Sequence, residues 1–298
     1  MNAQSTKTET AGTALDREGK IGAAVGGKFY LFTLIAAGAV ALFTSLSVIF
    51  NLINAIILFV NPEKTMADMG ATRVSKLISG GFGAIAIAVI EALIPVAMIF
   101  MLVFMVKLLK DRSLVSIDGV RTLGYGTGVL HLFSVFTIID NAFISFFMLL
   151  PALKLPFSAE AAADASVFKQ LFGFLDTSSV YDMFFKGFEG KESGFGAVLV
   201  AFILALLFIG FAIVQYISLG FIKNYYKDLE IYLENKNYII ERKAPIIFPC
   251  IFAGLNVVVA IFVLISGSWV TALSSLAISA FTVLTSLFLK DFEKVNKA

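Results

Sequence analysis

Three side chains in this sequence could carry or exchange charge inside a membrane: Glu91, His131 and Asp140. Each lies within a long apolar run, where an ionisable group is costly and marks a functional site by default. Two carboxyls brought into one low-dielectric pocket do not both ionise cheaply. A shared proton or a bound cation relieves the conflict. His131, the single histidine, has the intrinsic pKa of a proton relay. A hydrogen-bonded structural role is the plainer one for a lone histidine, with Gln215 at matching depth as its expected partner.

Neutral polar groups surround these three. Thr127, His131, Ser134, Asn141 and Ser145 recur at steps of three and four along 123–150 with only Ile138 interrupting, and Thr137 and Asp140 flank them. That spacing draws one polar seam on one helix face. Lipid cannot hydrogen-bond such a seam, so it must face protein or water. A second seam, Thr33, Ala37, Val40, Thr44, Ser47, Asn51 and Asn54, runs along 29–60. Small residues and Asn favour close helix contacts, so the two seams are expected to pack against each other. The expected charge-handling set is Glu91, Asp140 and His131. Asn51, Asn54, Asn141, Thr137 and Ser134 form its neutral lining.

Pro95 sits four residues after Glu91 and cannot donate to its carbonyl, which predicts a kink at the carboxylate. Glu91, Asn51, Asn141 and Asp140 each lie nine or ten residues from the outer end of their apolar segments. They are therefore expected at one level of the membrane.

The elements that must position these residues are six apolar segments: 29–60, 82–109, 123–150, 196–222, 246–266 and 269–289. Each reaches the ~20 residues that cross a hydrocarbon core. The predicted fold is an all-α polytopic membrane protein, a six-helix transmembrane bundle with an extracytoplasmic amphipathic helical cap. Residues 1–28 read as a polar, flexible tail, 29–150 as transmembrane helices one to three, and 151–195 as the outer amphipathic loop. Residues 196–298 hold helices four to six, with an inner helical extension at 223–245. Sixteen of the 23 Lys and Arg fall on one side of this arrangement and seven on the other, which puts both termini in the cytoplasm. The expected location is the cell's inner or plasma membrane.

Composition agrees. The chain has 298 residues, 59% hydrophobic and only 15% charged, against about 25% charged in soluble domains. A net charge of +2 gives no reason to expect nucleic acid as a partner. The expected partners are the lipid bilayer and, as options, a second copy or other membrane subunits. One cysteine, Cys250, and one histidine exclude a multi-Cys or multi-His metal site within the chain. No HExxH, G-x-S-x-G or phosphate-loop motif occurs, so neither an enzyme nor a cofactor is expected. Thr122–Gly126, TLGYG, resembles the TVGYG filter of potassium channels over those five residues alone. Charged residues precede it where a channel has a buried pore helix, and a glycine-rich turn entering the third helix is expected instead.

Two functions fit this pattern. The first is movement of a small solute or cation, with or without proton coupling, through a polar path between helices one to three. The second is a non-catalytic membrane scaffold or a subunit of a larger complex, with the seams serving as helix glue.

Overall fold

A computed structural model describes residues 17–60, 85, 88–111, 115–152, 195–235, 237–265 and 269–297. The outer loop 151–195, apart from its two ends, and the first 16 residues lie outside the described residues. Those described form α1 (17–25), α2 (Lys28–Val60), α3 (Leu93–Lys110), α4 (Ile117–Ala152), α5 (Phe195–Glu234), α6 (Ile247–Ile265) and α7 (Trp269–Lys297), with no strand among them. Helices dominate because a bilayer offers no partner for a backbone N–H or carbonyl, and a helix satisfies both internally. Among the described residues five stretches are long and apolar enough to cross a membrane: Lys28–Ile53, Ala88–Lys110, Ile117–Ile139, Phe202–Glu234 and Trp269–Lys297. The apolar stretch Ile247–Ile261 is shorter. The chain is thus an all-helical, multi-pass membrane protein with five candidate spans.

Helix neighbours differ from the seam-to-seam expectation. α2 packs against α7 and α3, whereas α4 packs most extensively against α5 and also meets α3. The expected contact between the first and third apolar helices therefore does not form as an extended interface. The reason lies in how the seam hydroxyls are satisfied. Thr44 donates to the Val40 carbonyl at 2.6 Å and Ser134 to the His131 carbonyl at 2.6 Å, each within its own helix. Such groups ask nothing of a neighbour, so shape decides the packing. Tyr30 of α2 meets Phe288 of α7 edge to face at 5.2 Å and donates to the Met105 carbonyl of α3 at 3.0 Å. Ala272, Ser275 and Ser279 of α7 are buried, as small residues at a close helix contact.

Thr122–Gly126 is not a turn but part of the continuous helix α4. Its glycine serves close approach. A Cβ on Gly126 would stand 2.5 Å from the Met101 sulfur of α3, and one on Gly119 would collide with the Phe104 ring.

One end of the bundle gathers several polar elements. Arg17 of α1 donates from Nη1 to the carbonyls of Tyr232 at 2.5 Å and Asn235 at 2.8 Å, and from Nη2 to that of Tyr238 at 3.3 Å. Its guanidinium also lies 4.3 Å from the Tyr232 ring centre. A cation at these last carbonyls of α5 matches the negative end of the helix dipole. Lys20 donates to the Asn296 carbonyl at 3.3 Å, and the backbone N–H of Ala244 donates to Glu293 at 3.0 Å. Arg121 pairs with Glu230. The helix α1, the first turns of α4, the end of α5, the segment after it and the end of α7 therefore share one side. The part of the expected tail from residue 17 is helical and fastened there. The α5 helix runs to Glu234, and 237–246 is non-helical.

Candidate functional site

Glu91 occupies a helical turn, 88–91, joined to α3 through Ala92. Regular assignment breaks at Ala92, whose φ and ψ are −60° and −17°. The backbone N–H of Ala92 still donates to Ala88 at 3.0 Å, and that of Val96 to Ala92 at 3.2 Å. Between them Pro95 has no N–H to offer the Glu91 carbonyl. The helical path continues through Ala92, and the carbonyl that lacks its backbone donor is that of Glu91. The Glu91 side chain is buried, at 6% exposure. It accepts a 2.7 Å hydrogen bond from the side-chain amide of Asn51 on α2. The shared level inferred for Asn51 and Glu91 is realised as a direct contact between two helices. Asn51 itself is exposed on α2. A carboxyl with one amide donor can hold a negative charge against a strong hydrogen bond, or hold a proton and still accept.

The remaining predicted residues are distributed differently. The side chains of Asp140 and Asn54 lie outside those described, although both residues are helical. Asn141 does not meet Asn51. Its amide donates to the Thr137 carbonyl at 2.9 Å on its own helix. Thr137 donates to the Phe133 carbonyl at 3.3 Å, and Ser145 reaches across to the Ala205 carbonyl of α5 at 3.2 Å. Ser134, Asn141 and Ser145 are fully or almost fully buried, in keeping with a seam that avoids lipid. His131 stacks on Tyr216 of α5, ring centres 4.4 Å apart, and not on its expected partner Gln215. Gly220 makes room for the imidazole: a Cβ there would lie 3.0 Å from Nε2. The Gln215 carbonyl oxygen and that of the Asn141 side chain are buried without a hydrogen-bond partner among the described residues.

Asn256, which no motif marks in the sequence, forms a reciprocal pair of hydrogen bonds between α6 and α7. Its amide donates to the Ser275 carbonyl of α7 at 2.7 Å, while the Ser275 hydroxyl donates back to Asn256 Oδ1. A lone Asn inside the apolar run of α6 carries the same cost argument that drew attention to Glu91. No group of three or more His, Cys, Asp or Glu side chains that could hold a metal ion occurs among the described residues. Helices and buried polar pairs define the class as an all-helical membrane protein. No family model, curated protein or solved structure matches the chain.

Proposed function

We propose that this chain moves a proton or small cation, or a small solute coupled to one, with Glu91 as the charge-handling group. The observation that carries the reading is the Asn51–Glu91 hydrogen bond, 2.7 Å long, made by a buried carboxyl inside an apolar helix. Membrane carboxyls are expensive and are retained where charge is handled. In this reading the chain crosses the bilayer six times, with α6 as the additional span and 151–195 as an extracytoplasmic amphipathic cap. Both termini lie in the cytoplasm, and the membrane is the inner or plasma membrane. Support for the shared side of the termini comes from Lys20, which donates to the Asn296 carbonyl at 3.3 Å. Asp140 acts with Glu91, His131 lies toward the inner exit, Asn51 and Asn54 supply neutral hydrogen bonds from α2, and the side-chain oxygen of Asn141 offers an acceptor from α4, where Thr137 and Ser134 bond within the helix.

A second reading, a scaffold or subunit of a larger complex, is favoured by a different observation. The hydroxyls of Thr127, Ser134 and Thr137 on α4 are satisfied by their own helix, as in the Thr127 donation to the Gly124 carbonyl at 2.9 Å. A seam closed on itself in this way serves as packing surface and not as a lining.

The two readings separate in proteoliposomes. Under an imposed pH or cation gradient, the wild type takes up protons or cations, and Glu91→Gln and Asp140→Asn variants do not. Passive wild-type vesicles under every gradient, from protein that reconstitutes folded, would shift the assignment to the scaffold.

A further inference from the structure

We propose that the groove between α3 and α4 holds an acyl chain of a glycerophospholipid whose phosphate rests on Lys107. This inference is independent of the role assigned to Glu91. The groove measures about 470 Å³, within the roughly 300–1,000 Å³ of pockets that hold small ligands. Half-buried Ala97 and Val129 form its floor. Phe100 at 69% exposure and Tyr125 at 64% stand as its walls, with Leu93 at one end. One turn beyond Phe100, the Phe104 ring covers Gly119 so closely that a side chain there would have to displace it.

Lys107 continues the face of Leu93 and Phe100 at steps of seven, which return to almost the same side of a helix. From Leu93 to Lys107 the helix rises ~21 Å, enough to cover one leaflet's share, ~15 Å, of the ~30 Å hydrocarbon core. The surrounding charges leave Lys107 to an outside anion. Arg121 takes Glu230 and, at 3.5 Å, Asp118. Lys107 has no ion-pair partner among the described residues, and Lys110 lies beyond it on α3. Asp111 has interactions of its own. An apolar helix of another protein would fill the groove but offer Lys107 no anion. A phospholipid supplies both parts.

Native mass spectrometry of the full-length chain tests this after incubation with phosphatidylglycerol or with diacylglycerol of the same chains. Wild type should retain phosphatidylglycerol in preference to diacylglycerol. Lys107→Gln should narrow that preference about fivefold, the worth of one lysine beside an anionic head group. Ala97→Phe, which fills the floor, should lower retention of both lipids. Val129→Phe repeats the test from the α4 side of the floor if the first variant misfolds by circular dichroism. Unchanged retention in the folded groove-filling variant, an unchanged preference in Lys107→Gln, or a dimer that the groove-filling variant dissociates would each overturn the proposal.

Discussion

Asn51 and Glu91, 40 residues apart in sequence, join α2 to the start of α3 through one hydrogen bond of 2.7 Å. It links an exposed amide to a buried carboxyl at the point where Pro95 interrupts the backbone ladder. Replacing Asn51 with Leu removes the donor and leaves the carboxyl unpartnered on that side. A loss of about 0.6–2 kcal/mol is expected, the range for hydrogen bonds within membranes, measured as a lowered midpoint in thermal unfolding in detergent. A midpoint equal to wild type would show that the contact contributes nothing to stability.

Asn256 and Ser275 make two reciprocal hydrogen bonds between α6 and α7, both buried. Asn256→Leu should destabilise the chain by about 1–2 kcal/mol. Ser275→Ala should cost less, because the Asn256 amide keeps its bond to the Ser275 carbonyl. A double variant no worse than Asn256→Leu alone would show the coupling that neighbouring residues display.

Arg17 fastens α1 to the end of α5 through three carbonyls and the Tyr232 ring. Arg17→Ala should cost about 1–3 kcal/mol, since hydrogen bonds to a charged donor exceed neutral ones. It should also speed proteolytic cleavage near residues 17–25. Arg17→Lys should recover only part of this, because an ammonium cannot reproduce the flat fork of a guanidinium. Identical cleavage rates in all three proteins would contradict the fastening role.

How much of this could be read from the sequence depends on whether a property is one-dimensional. Glu91 and Asn51 were placed at one level by counting residues from the segment ends, and a helix converts that count directly into depth. The missing backbone donor at the Glu91 carbonyl follows from Pro95 alone. Lateral neighbours are a different matter. His131 meets Tyr216 and not Gln215, and one residue's step turns a side chain by roughly 100° around the helix. The Thr122–Gly126 stretch looked like a turn because glycine is ambiguous in sequence. Only the Met101 side chain packed against Gly126 shows that close approach is its use. The pairing of α4 with α5, in place of α2, is hidden for a similar reason: Thr127, Ser134 and Thr137 bond within their own helix and carry no address, and nothing in the sequence sets Ser145, which reaches α5, apart from them.

Gly126 offers a direct test of that contact. Gly126→Leu would force a branched side chain into the space of Met101, which is 2% exposed. Overpacking of this kind costs about 1–3 kcal/mol, and a second change, Met101→Ala, should restore part of the loss. Failure of the second change to restore any stability would show that the two residues do not compete for space.

In the proposed orientation the polar end of the bundle faces the cytoplasm. In a Cys250→Ser background, a cysteine at Asn237 should react with an impermeant thiol reagent only from the cytoplasmic side. A cysteine at Ser158, outside the described residues, should react only from the other side. Labelling of both from one side would contradict the six-span arrangement.

The most direct test of the charge-handling role is a paired measurement on Glu91→Gln. The amide keeps the size of the carboxyl and still accepts from Asn51, but it cannot ionise. Thermal stability should stay within about 1 kcal/mol of wild type, as for a shape-conserving change that keeps its hydrogen bond, while gradient-driven proton or cation flux in proteoliposomes disappears. Flux equal to wild type in a folded Glu91→Gln protein would contradict the account.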